Sequence, residues 1–535
     1  MDWSPRVGGR DYTYATSFSM PIEELINTYL PQFSGILHDY WGRNGIHLHS
    51  EYLGAGVLFL AAAGFGAIGV ESRRRLLYFW IGVLVISLLW ALGGHTPFYH
   101  LVYAIVPGSK FFRAPSTIYF ITSFAVAVIA ALGAERVLAG QVSRRLMIGA
   151  AAFGGAVAIL ATAGMFQVIA ANLSVIPETF YKINEGADSV VRGAWRSFIF
   201  LGAAVGLAYA IAARRIPNRL GGWLLAAIVV VDLWSVERNY FNFSPPAAEI
   251  YATDAAIEHI RAEPQPVRVI AVALGEGAAY HDPFLDGDGL MSHNVRVVLG
   301  YHGNEIRYWQ GLSGKATGYD QLFNPAFWGL ANVKYVYTNL DSLPIGGAKR
   351  VVGPVKNAAG TMVSLFELAD PHPYAWVAPV ISKYPDAAVA EAVRAPNFPY
   401  ASVALIDTAS TTPAVPLTAI PEPLAIKTTV SGYAPGRATI ALDAPAPAGS
   451  ALVVSESFYP GWQATVDGQP AKVERANLAL MAVALPAGAR TVELTFDSPP
   501  YHQGKTLTLI ALATALLLTL LGAVVGRVPR RTPNG

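Results

Sequence analysis

The chain has 535 residues, of which 53% are hydrophobic and 14% are charged, with a formal net charge of +2. Because an average soluble domain carries about 25% charged residues, this composition indicates a membrane protein long enough for two or more domains. The absence of cysteine excludes disulfides, thiolate metal sites and a cysteine nucleophile. The nearly neutral charge gives no argument for nucleic acid, and we expect no such partner.

Residues 1–51 are polar and aromatic, and we predict that they form an extracytoplasmic segment. They lack the basic and apolar regions of a signal peptide, so we expect further helices upstream of Met1. A short amphipathic helix is predicted over residues 21–30, with one apolar face formed by Ile22, Leu25, Ile26 and Leu30. Close behind it, His47, His49 and Glu51 could ligate a metal, although this spacing alone provides no third anchored ligand.

Seven apolar segments are predicted to span the membrane. Six form a transmembrane region within residues 52–240, at 52–70, 76–92, 118–134, 146–171, 195–213 and 220–234. The seventh, 507–525, has no charge over about twenty residues, which matches the roughly 30 Å of a bilayer core. Arginine clusters follow the first, third, fifth and seventh segments. The positive-inside rule therefore predicts a multi-pass membrane protein with a cytoplasmic tail at 526–535 and a large region outside.

Two features near the predicted membrane surface are candidate sites. Lys110 and Arg113 lie in the loop 93–117, on the side where cations are less expected. They could bind a phosphate. Alternatively, they could simply lie in the membrane–water interface or pair with a neighbouring loop. Asp232 lies near the end of the sixth segment, where a functional role and a structural pairing are both open.

The large region is predicted to contain two domains. Strands and short helices alternate over residues 241–407, which is typical of an α/β domain. Residues 408–423 are rich in proline, threonine and alanine and are predicted to be a linker. Residues 424–500 contain short strands separated by turns, which predicts a β-sandwich-like domain.

Two stretches of this region contain candidate binding residues. SESFYPGWQATVDG includes Tyr459 and Trp462, whose rings could bind sugar or the membrane interface, or could be ordinary core. YHGNEIR brings together His302, Glu305 and Arg307, which could supply a catalytic acid or base, or form a structural loop. No common hydrolase, metalloprotease or nucleotide-binding motif is present in a proper setting.

Several motifs together carry a resemblance to a known family: SMPIEELINTYLPQF, GGHTPFYHLVYAIVPGSKFFRAPS, VVLGYHGNEIRYWQGL, ANVKYVYTN and SESFYPGWQATVDGQPAKVERANLALMAVALPAG. With these motifs the chain resembles the YfhO family of bacterial membrane proteins, and specifically its C-terminal portion. That family is similar to C-type (GT-C fold) glycosyltransferases. The resemblance implies transfer of a sugar from a polyprenyl-phosphate carrier to a cell-envelope glycoconjugate on the outer face of the bacterial inner membrane.

The resemblance also implies roles for particular residues. Lys110 and Arg113 would face the carrier phosphate. The family's catalytic acid is expected in an earlier loop, so the catalytic residue is unknown here, and the acidic candidates of the first segment are Asp11, Glu23, Glu24, Asp39 and Glu51. No cofactor is certain, and a divalent metal is an option. The alternative function is a non-catalytic, membrane-anchored module that binds glycans or partner proteins.

Overall fold

The structure is a computed structural model, and it describes residues 2–47, 49–275, 282–300, 303, 305–343 and 345–525. The chain forms two compact units. The N-terminal unit is Arg6–Ser244, and the C-terminal unit consists of Met1–Pro5 and Pro245–Gly535.

The N-terminal unit is helical. Its α-helices are α1 (Tyr12–Ala15), α2 (Ala55–Gly64), α3 (Glu71–Ala91), α4 (Phe98–Ile105), α5 (Tyr119–Leu138), α6 (Arg144–Thr162), α7 (Met165–Leu173), α8 (Phe180–Glu185), α9 (Ala187–Ala212) and α10 (Asn218–Glu237). Short 3₁₀ helices connect them, including Ile22–Thr28, Leu37–Asp39, Phe65–Gly69 and Ser109–Phe111.

The multi-pass membrane architecture is confirmed. In the part of the chain that the structure describes, six helices are long and apolar enough to cross a membrane, namely Glu71–Ala91, Pro115–Leu138, Arg144–Thr162, Ala187–Ala212, Asn218–Tyr240 and Pro499–Val524. The first predicted segment forms the shorter apolar helix Ala55–Gly69. These seven match the predicted number of about seven, and they indicate a lipid-bilayer environment.

One predicted membrane segment was wrong in its length. The apolar stretch 146–171 is divided into α6 and α7, because Gly164 adopts φ +77° between them. A glycine in this left-handed conformation commonly ends a helix, and its amide bonds the carbonyl of Ala161. Hydropathy alone could not locate the break, since apolar residues continue on both sides.

The loops rich in arginine adjoin one another within the N-terminal unit. Arg73 forms an ion pair of 3.0 Å with Glu135 at the end of α5. Helices α2 and α5 pack closely beside them, because a Cβ on Gly133 would collide with the carbonyl of Leu60. Small residues allow this backbone approach between membrane helices.

The predicted amphipathic helix at 21–30 was wrong in type and in its buried face. The observed element is the 3₁₀ helix Ile22–Thr28. Ile22 is 51% exposed, whereas Glu24 is 0% exposed. The buried carboxylates have polar partners that periodicity cannot reveal, since Glu23 pairs with Arg43 and Glu24 accepts a hydrogen bond from Tyr40.

The C-terminal unit contains short helices and β-strands. The helices are α11 (Ala247–Ile250), α12 (Ala255–Ala262), α13 (Arg307–Ser313), α14 (Pro325–Leu330), α15 (Asp386–Val393) and the long α16 (Pro499–Val525). The first strands are β1 (Arg268–Val272), β2 (Arg296–Val297), β3 (Val333–Thr338), β4 (Lys349–Lys356), β5 (Met362–Glu367), β6 (Ala375–Ala378), β7 (Val380–Tyr384) and β8 (Val403–Asp407). The later strands are β9 (Thr428–Ala434), β10 (Arg437–Leu442), β11 (Ala451–Val454), β12 (Trp462–Val466), β13 (Gln469–Ala471), β14 (Val473–Ala476), β15 (Leu480–Ala484) and β16 (Thr491–Phe496).

These strands form three sheets with the orders β2-β1-β3-β5-β4, β13-β12-β16-β10-β9 and β6-β11-β15-β14-β8-β7. The first sheet is mixed, because β1 pairs in parallel with β2 and β3 while β5 runs antiparallel to β3. The second and third sheets share a buried core that includes Leu452, Val483, Ile440 and Leu494. The α/β region and the sandwich-like arrangement are therefore both present, as predicted.

The structure differs from the predicted division at residues 408–423. Strands β6 and β8, which precede this stretch, pair with β11 and β14, which follow it. The stretch itself is tied to the sheet, because the amide of Val415 donates to the carbonyl of Ile381 and Thr412 donates to Glu474. Composition indicates a linker but cannot show that strands on either side pair across it.

Candidate functional site

The predicted phosphate-binding cations belong to a basic patch in the N-terminal unit, which we define as Arg6, Arg10, Lys110 and Arg113 around Tyr14. The guanidinium carbons of Arg10 and Arg113 lie 4.9 Å and 5.7 Å from the centroid of the Tyr14 ring. Within the described ranges, Arg10, Lys110 and Arg113 have no carboxylate within 4.0 Å. The patch is therefore open to an anion, and its cation–π contacts equally fit the predicted interfacial alternative.

A separate polar cavity of about 650 Å³ lies in the same unit. Its volume is large enough for a sugar phosphate. Its apolar lining includes Phe33, Phe166 and Val190, and its polar lining includes Asp39, Lys182, Arg192 and Arg196, together with Trp41.

The cations of the polar cavity are held by neutral groups. Lys182 Nζ donates to the carbonyl of Tyr40 at 3.1 Å, Arg192 donates to Ser189 Oγ at 3.0 Å, and Arg196 donates to Ser235 Oγ at 3.2 Å. None of the three has a carboxylate within 4.0 Å among the described residues. Lys182 and Arg192 can therefore pair with an anion in the cavity. The Arg196 guanidinium also lies 4.8 Å from the centroid of the Tyr52 ring and interacts electrostatically with Asp232.

Arg196 is the most unusual of these cations. It lies in the membrane-spanning helix α9, where a charged residue is costly and is a default functional candidate. Its Nε is buried and has no hydrogen-bond partner. A planar guanidinium with a spare donor is well suited to a phosphate oxygen.

Two glycines shape the polar cavity. Gly35 has φ +86°, and a Cβ there would collide with the backbone of Asp39. Gly193 lies on α9, and a Cβ there would collide with the side chain of Gln32. Glycine at these two positions allows the loop with Asp39 to turn back and allows α9 to approach the segment before it.

The five acidic candidates of the first segment lie in different surroundings in the structure. Asp11 caps α1, since its carboxylate accepts from the amide of Tyr14 at 2.8 Å. Glu23 is paired with Arg43 at 3.0 Å. Of the five, only Asp39 lines the polar cavity, and it is exposed there.

The other two acidic candidates form a buried acidic cluster with a histidine: Glu24, His47 and Glu51. One potential ligand atom from each residue lies within 4.8 Å of the other two. His47 Nε2 lies 3.1 Å from Glu51 Oε2, and Tyr40 donates to Glu24 Oε1. His49 lies at the edge of the cluster, with its Nε2 3.3 Å from Glu51 Oε1.

The two buried carboxyls differ in acidity. Burial is the strongest influence on Glu24 and, with the charge of Glu51, raises its pKa to about 7. Burial also acts to raise the pKa of Glu51, but hydrogen bonds and charge from His47 and His49 outweigh it and lower this pKa to about 2. Two carboxylates this close favour a shared positive partner.

Asp232 has a structural pairing. Tyr52 donates to Asp232 Oδ1 at 2.6 Å, and the amide of Gly56 donates to Oδ2 at 3.4 Å. Tyr52 also accepts from the amide of Ala55 at 3.0 Å. The carboxylate and the tyrosine therefore satisfy the first amides of α2 and fix this helix to α10.

In the C-terminal unit, the predicted acid–base group is engaged in local contacts. Glu305 accepts hydrogen bonds from Gln310 and Lys315. Arg307 donates to the hydroxyl of Tyr308 at 2.6 Å. His302 lies outside the described residues. Glu305 also lines a smaller cavity of about 240 Å³.

The predicted aromatic platform is part of a packed group. The ring of Tyr459 lies 5.8 Å from that of Trp3, and the ring of Trp462 lies 5.4 Å from that of Phe496. Phe458 also packs on Trp3, at 5.4 Å. This arrangement fits the interpretation that most of these rings are ordinary core residues, whereas Tyr459 is exposed.

Glu456, which lies just before this aromatic group in the chain, forms a buried ion triad with Arg268 and Arg296. Arg268 donates to the carbonyl and hydroxyl of Ser455 at 2.7 and 2.8 Å, and it lies 3.3 Å from Glu456. Arg296 contacts the other oxygen of Glu456 at 2.6 Å. Burial, followed by the charge of Arg296, lowers the pKa of Arg268 to about 10. The conspicuous SESFYPGW stretch therefore anchors the first sheet.

The same stretch lies within the region that matches a known family. Residues 429–508 match the family model described as bacterial membrane protein YfhO. This confirms the predicted resemblance to the YfhO family. The YfhO match extends from β9 into α16 and includes Tyr459 and Trp462. No curated protein and no solved structure matched the chain.

The YfhO resemblance did not point to the polar cavity. Sequence reasoning identified Asp39 only as one of five carboxylates. It singled out none of Lys182, Arg192 and Arg196. An arginine inside an apolar helix was a signal that could have found Arg196, because such residues are costly unless they serve a purpose.

Proposed function

We propose that this YfhO-like protein is a membrane glycosyltransferase of the C type. It transfers a sugar from a polyprenyl-phosphate carrier to a cell-envelope acceptor at the non-cytoplasmic face of the bacterial inner membrane. The observation that carries the proposal is the polar cavity, whose lining includes one exposed carboxylate and three cations that have no carboxylate within 4.0 Å among the described residues.

The cavity suits the charges of this reaction. In the transfer, a bond forms between the acceptor oxygen and the anomeric carbon of the sugar while the bond from that carbon to the phosphate oxygen breaks. The carrier leaves as polyprenyl phosphate, and the acceptor proton passes to a carboxylate. Asp39 would accept this proton, and Arg192 and Arg196 would stabilise the departing phosphate.

The remaining lining fits a lipid-linked sugar. Trp41 is a largely buried aromatic side chain of the lining, and its indole donates a hydrogen bond of 2.7 Å to the carbonyl of Phe33. Phe166 and Val190 offer an apolar wall next to membrane helices. The cavity therefore combines the three kinds of surface that a polyprenyl-phosphate sugar presents.

The test is genetic complementation in the source bacterium, because cells supply the native donor and acceptor. A strain lacking the protein would receive the full chain, and envelope glycans would be measured by mass spectrometry. We expect Asp39→Asn and Arg196→Met to lower transfer about 100-fold or more, as is typical when a general base or an electrostatic stabiliser is removed. The matched controls Asp188→Asn and Arg238→Met, which do not line the cavity, should transfer normally.

The outcomes decide between the alternatives. Normal transfer by Asp39→Asn would remove this carboxylate as the base. Unchanged envelope glycans after deletion of the protein would contradict glycosyl transfer and favour the non-catalytic binding module. Arg113→Ala tests the second group of cations: a loss confined to this variant would assign the carrier phosphate to the basic patch instead of the cavity.

A further inference from the structure

The buried acidic cluster is the strongest feature that the proposed transfer reaction leaves unused. Glu24, His47 and Glu51 are all buried, with residue exposures of 0%, 6% and 1%. Glu24 lies on the 3₁₀ helix Ile22–Thr28, whereas His47 and Glu51 lie four residues apart in the stretch that leads into α2. A cluster that brings two carboxylates and an imidazole together in the interior from two segments requires a specific source of stability.

No lysine or arginine of the described residues pairs with this cluster. Lysine and arginine side chains lie more than 4.0 Å from Glu24 and Glu51 in the described residues, and the nearby Arg43 pairs instead with Glu23 at 3.0 Å. The basic side chains that contact Glu51 are the two histidines, His47 and His49. Burying an uncompensated carboxylate is costly.

The cluster also has unused ligand atoms. Glu24 Oε2 and His47 Nδ1 are buried and have no hydrogen-bond partner. Such orphaned polar atoms are rare in folded proteins and point to a missing partner. Glu24 and His47 each also place one potential ligand atom within 4.8 Å of the other and of Glu51.

We infer that Glu24, His47 and Glu51 bind one divalent metal ion of the Zn²⁺ or Mn²⁺ class. One imidazole nitrogen and two carboxylate oxygens form a mixed donor set that suits these ions. Separations within 4.8 Å need only small side-chain rotations to reach metal–ligand distances of about 2.0–2.2 Å.

The surroundings have the second layer that metal sites require. Asn27 donates to Glu51 Oε2 at 3.3 Å, Tyr40 donates to Glu24, and the Tyr40 ring stacks on His47 with centroids 4.1 Å apart. Such contacts orient metal ligands. His49 is partly exposed and lies against Glu51, so it marks the side from which an ion enters.

The ion cross-links the 3₁₀ helix Ile22–Thr28 to the stretch before α2 and thereby stabilises the N-terminal unit. This inference goes beyond the proposed glycosyl transfer and does not rest on it, because metal binding can be measured without any sugar donor. The two therefore succeed or fail separately.

The test uses the full chain, purified in detergent, stripped with a chelator and titrated with Zn²⁺ alone and with Mn²⁺ alone. We expect one equivalent of one of these ions by elemental analysis after buffer exchange. We also expect the unfolding midpoint of the N-terminal unit to rise by about 5 °C or more at an ion concentration 100-fold above the dissociation constant.

Matched variants assign the site. Glu24→Gln and His47→Gln should lose the bound equivalent and the thermal shift, whereas the neighbouring Glu23→Gln should keep both. If Glu24→Gln fails to fold, Asn27→Ala provides the second measurement: it keeps all three ligands and should weaken binding about 10-fold or more.

Two results would overturn the inference. One is a wild-type chain that retains neither Zn²⁺ nor Mn²⁺ and shows no thermal shift. The other is binding that survives in Glu24→Gln and His47→Gln, which would indicate an adventitious surface site.

Discussion

The buried ion triad allows one stability prediction to be worked out in detail. In Glu456→Gln, the side chain keeps its size but loses the charge that both Arg268 and Arg296 share. The contacts at 3.3 and 2.6 Å become neutral hydrogen bonds at best. Two guanidinium groups are then left close together without a carboxylate.

The expected magnitude follows from burial. Removing one partner of a fully buried pair costs about 3–5 kcal/mol, because the remaining charge stays desolvated. The Arg268 side chain is only 6% exposed, but Glu456 is 21% exposed, so water partly screens the change. We therefore expect a loss of about 2–3 kcal/mol from the C-terminal unit.

The assay is amide hydrogen exchange of the full chain, read by mass spectrometry in peptides from β1 and β11. Exchange reports the local stability of these strands directly. Since about 1.4 kcal/mol corresponds to a factor of ten, the slowest amides should exchange roughly 30- to 150-fold faster in Glu456→Gln. Glu493→Gln, on the exposed side of β16, is the matched control and should change little.

A second substitution tests the cause. Adding Arg296→Met to Glu456→Gln removes one of the two unpaired guanidinium charges. Part of the lost protection against amide exchange should then return, as expected for coupled residues. Exchange in Glu456→Gln within about twofold of the Glu493→Gln control would refute the argument that this carboxylate holds the triad together.

Two further predictions concern packing and pH. Gly133→Ala should destabilise the N-terminal unit by about 1–3 kcal/mol in thermal unfolding, because the added methyl group would collide with Leu60 on α2. The control Gly206→Ala has open space around the added methyl group and should not be destabilised. Equal unfolding midpoints for the two variants would contradict close packing of α2 and α5. Burial lowers the pKa of His372 from about 6.5 to about 4. The stability that depends on neutral His372 should therefore be complete above about pH 6.5 and should fall, by up to about 3 kcal/mol, as the pH drops towards 4. His372→Gln should remove this part of the pH dependence in exchange measurements on the C-terminal unit, and an unchanged profile would exclude His372 as its source.

Local sequence patterns were enough to predict much of the fold. A run of apolar residues such as 507–525 can satisfy its backbone in lipid only as a helix, so α16 follows from composition alone. Alternating strands such as β10 and β16 could likewise be predicted, because their side-chain period of two is a local property. The YfhO resemblance rested on short motifs of the same kind.

The site depended on the tertiary structure. Asp39 and Arg196 are separated by more than 150 positions in the chain, and only the packing of α9 against the segment near Gln32 brings them to one cavity. The sequence showed His47 and Glu51 as neighbours but gave no reason to add Glu24, which a helical pattern assigned to the solvent side. Periodicity reports which residues are apolar, whereas polar partners at a distance decide where charged side chains are buried. For this protein, sequence therefore determined the membrane helices and strands, and tertiary packing determined which charges meet.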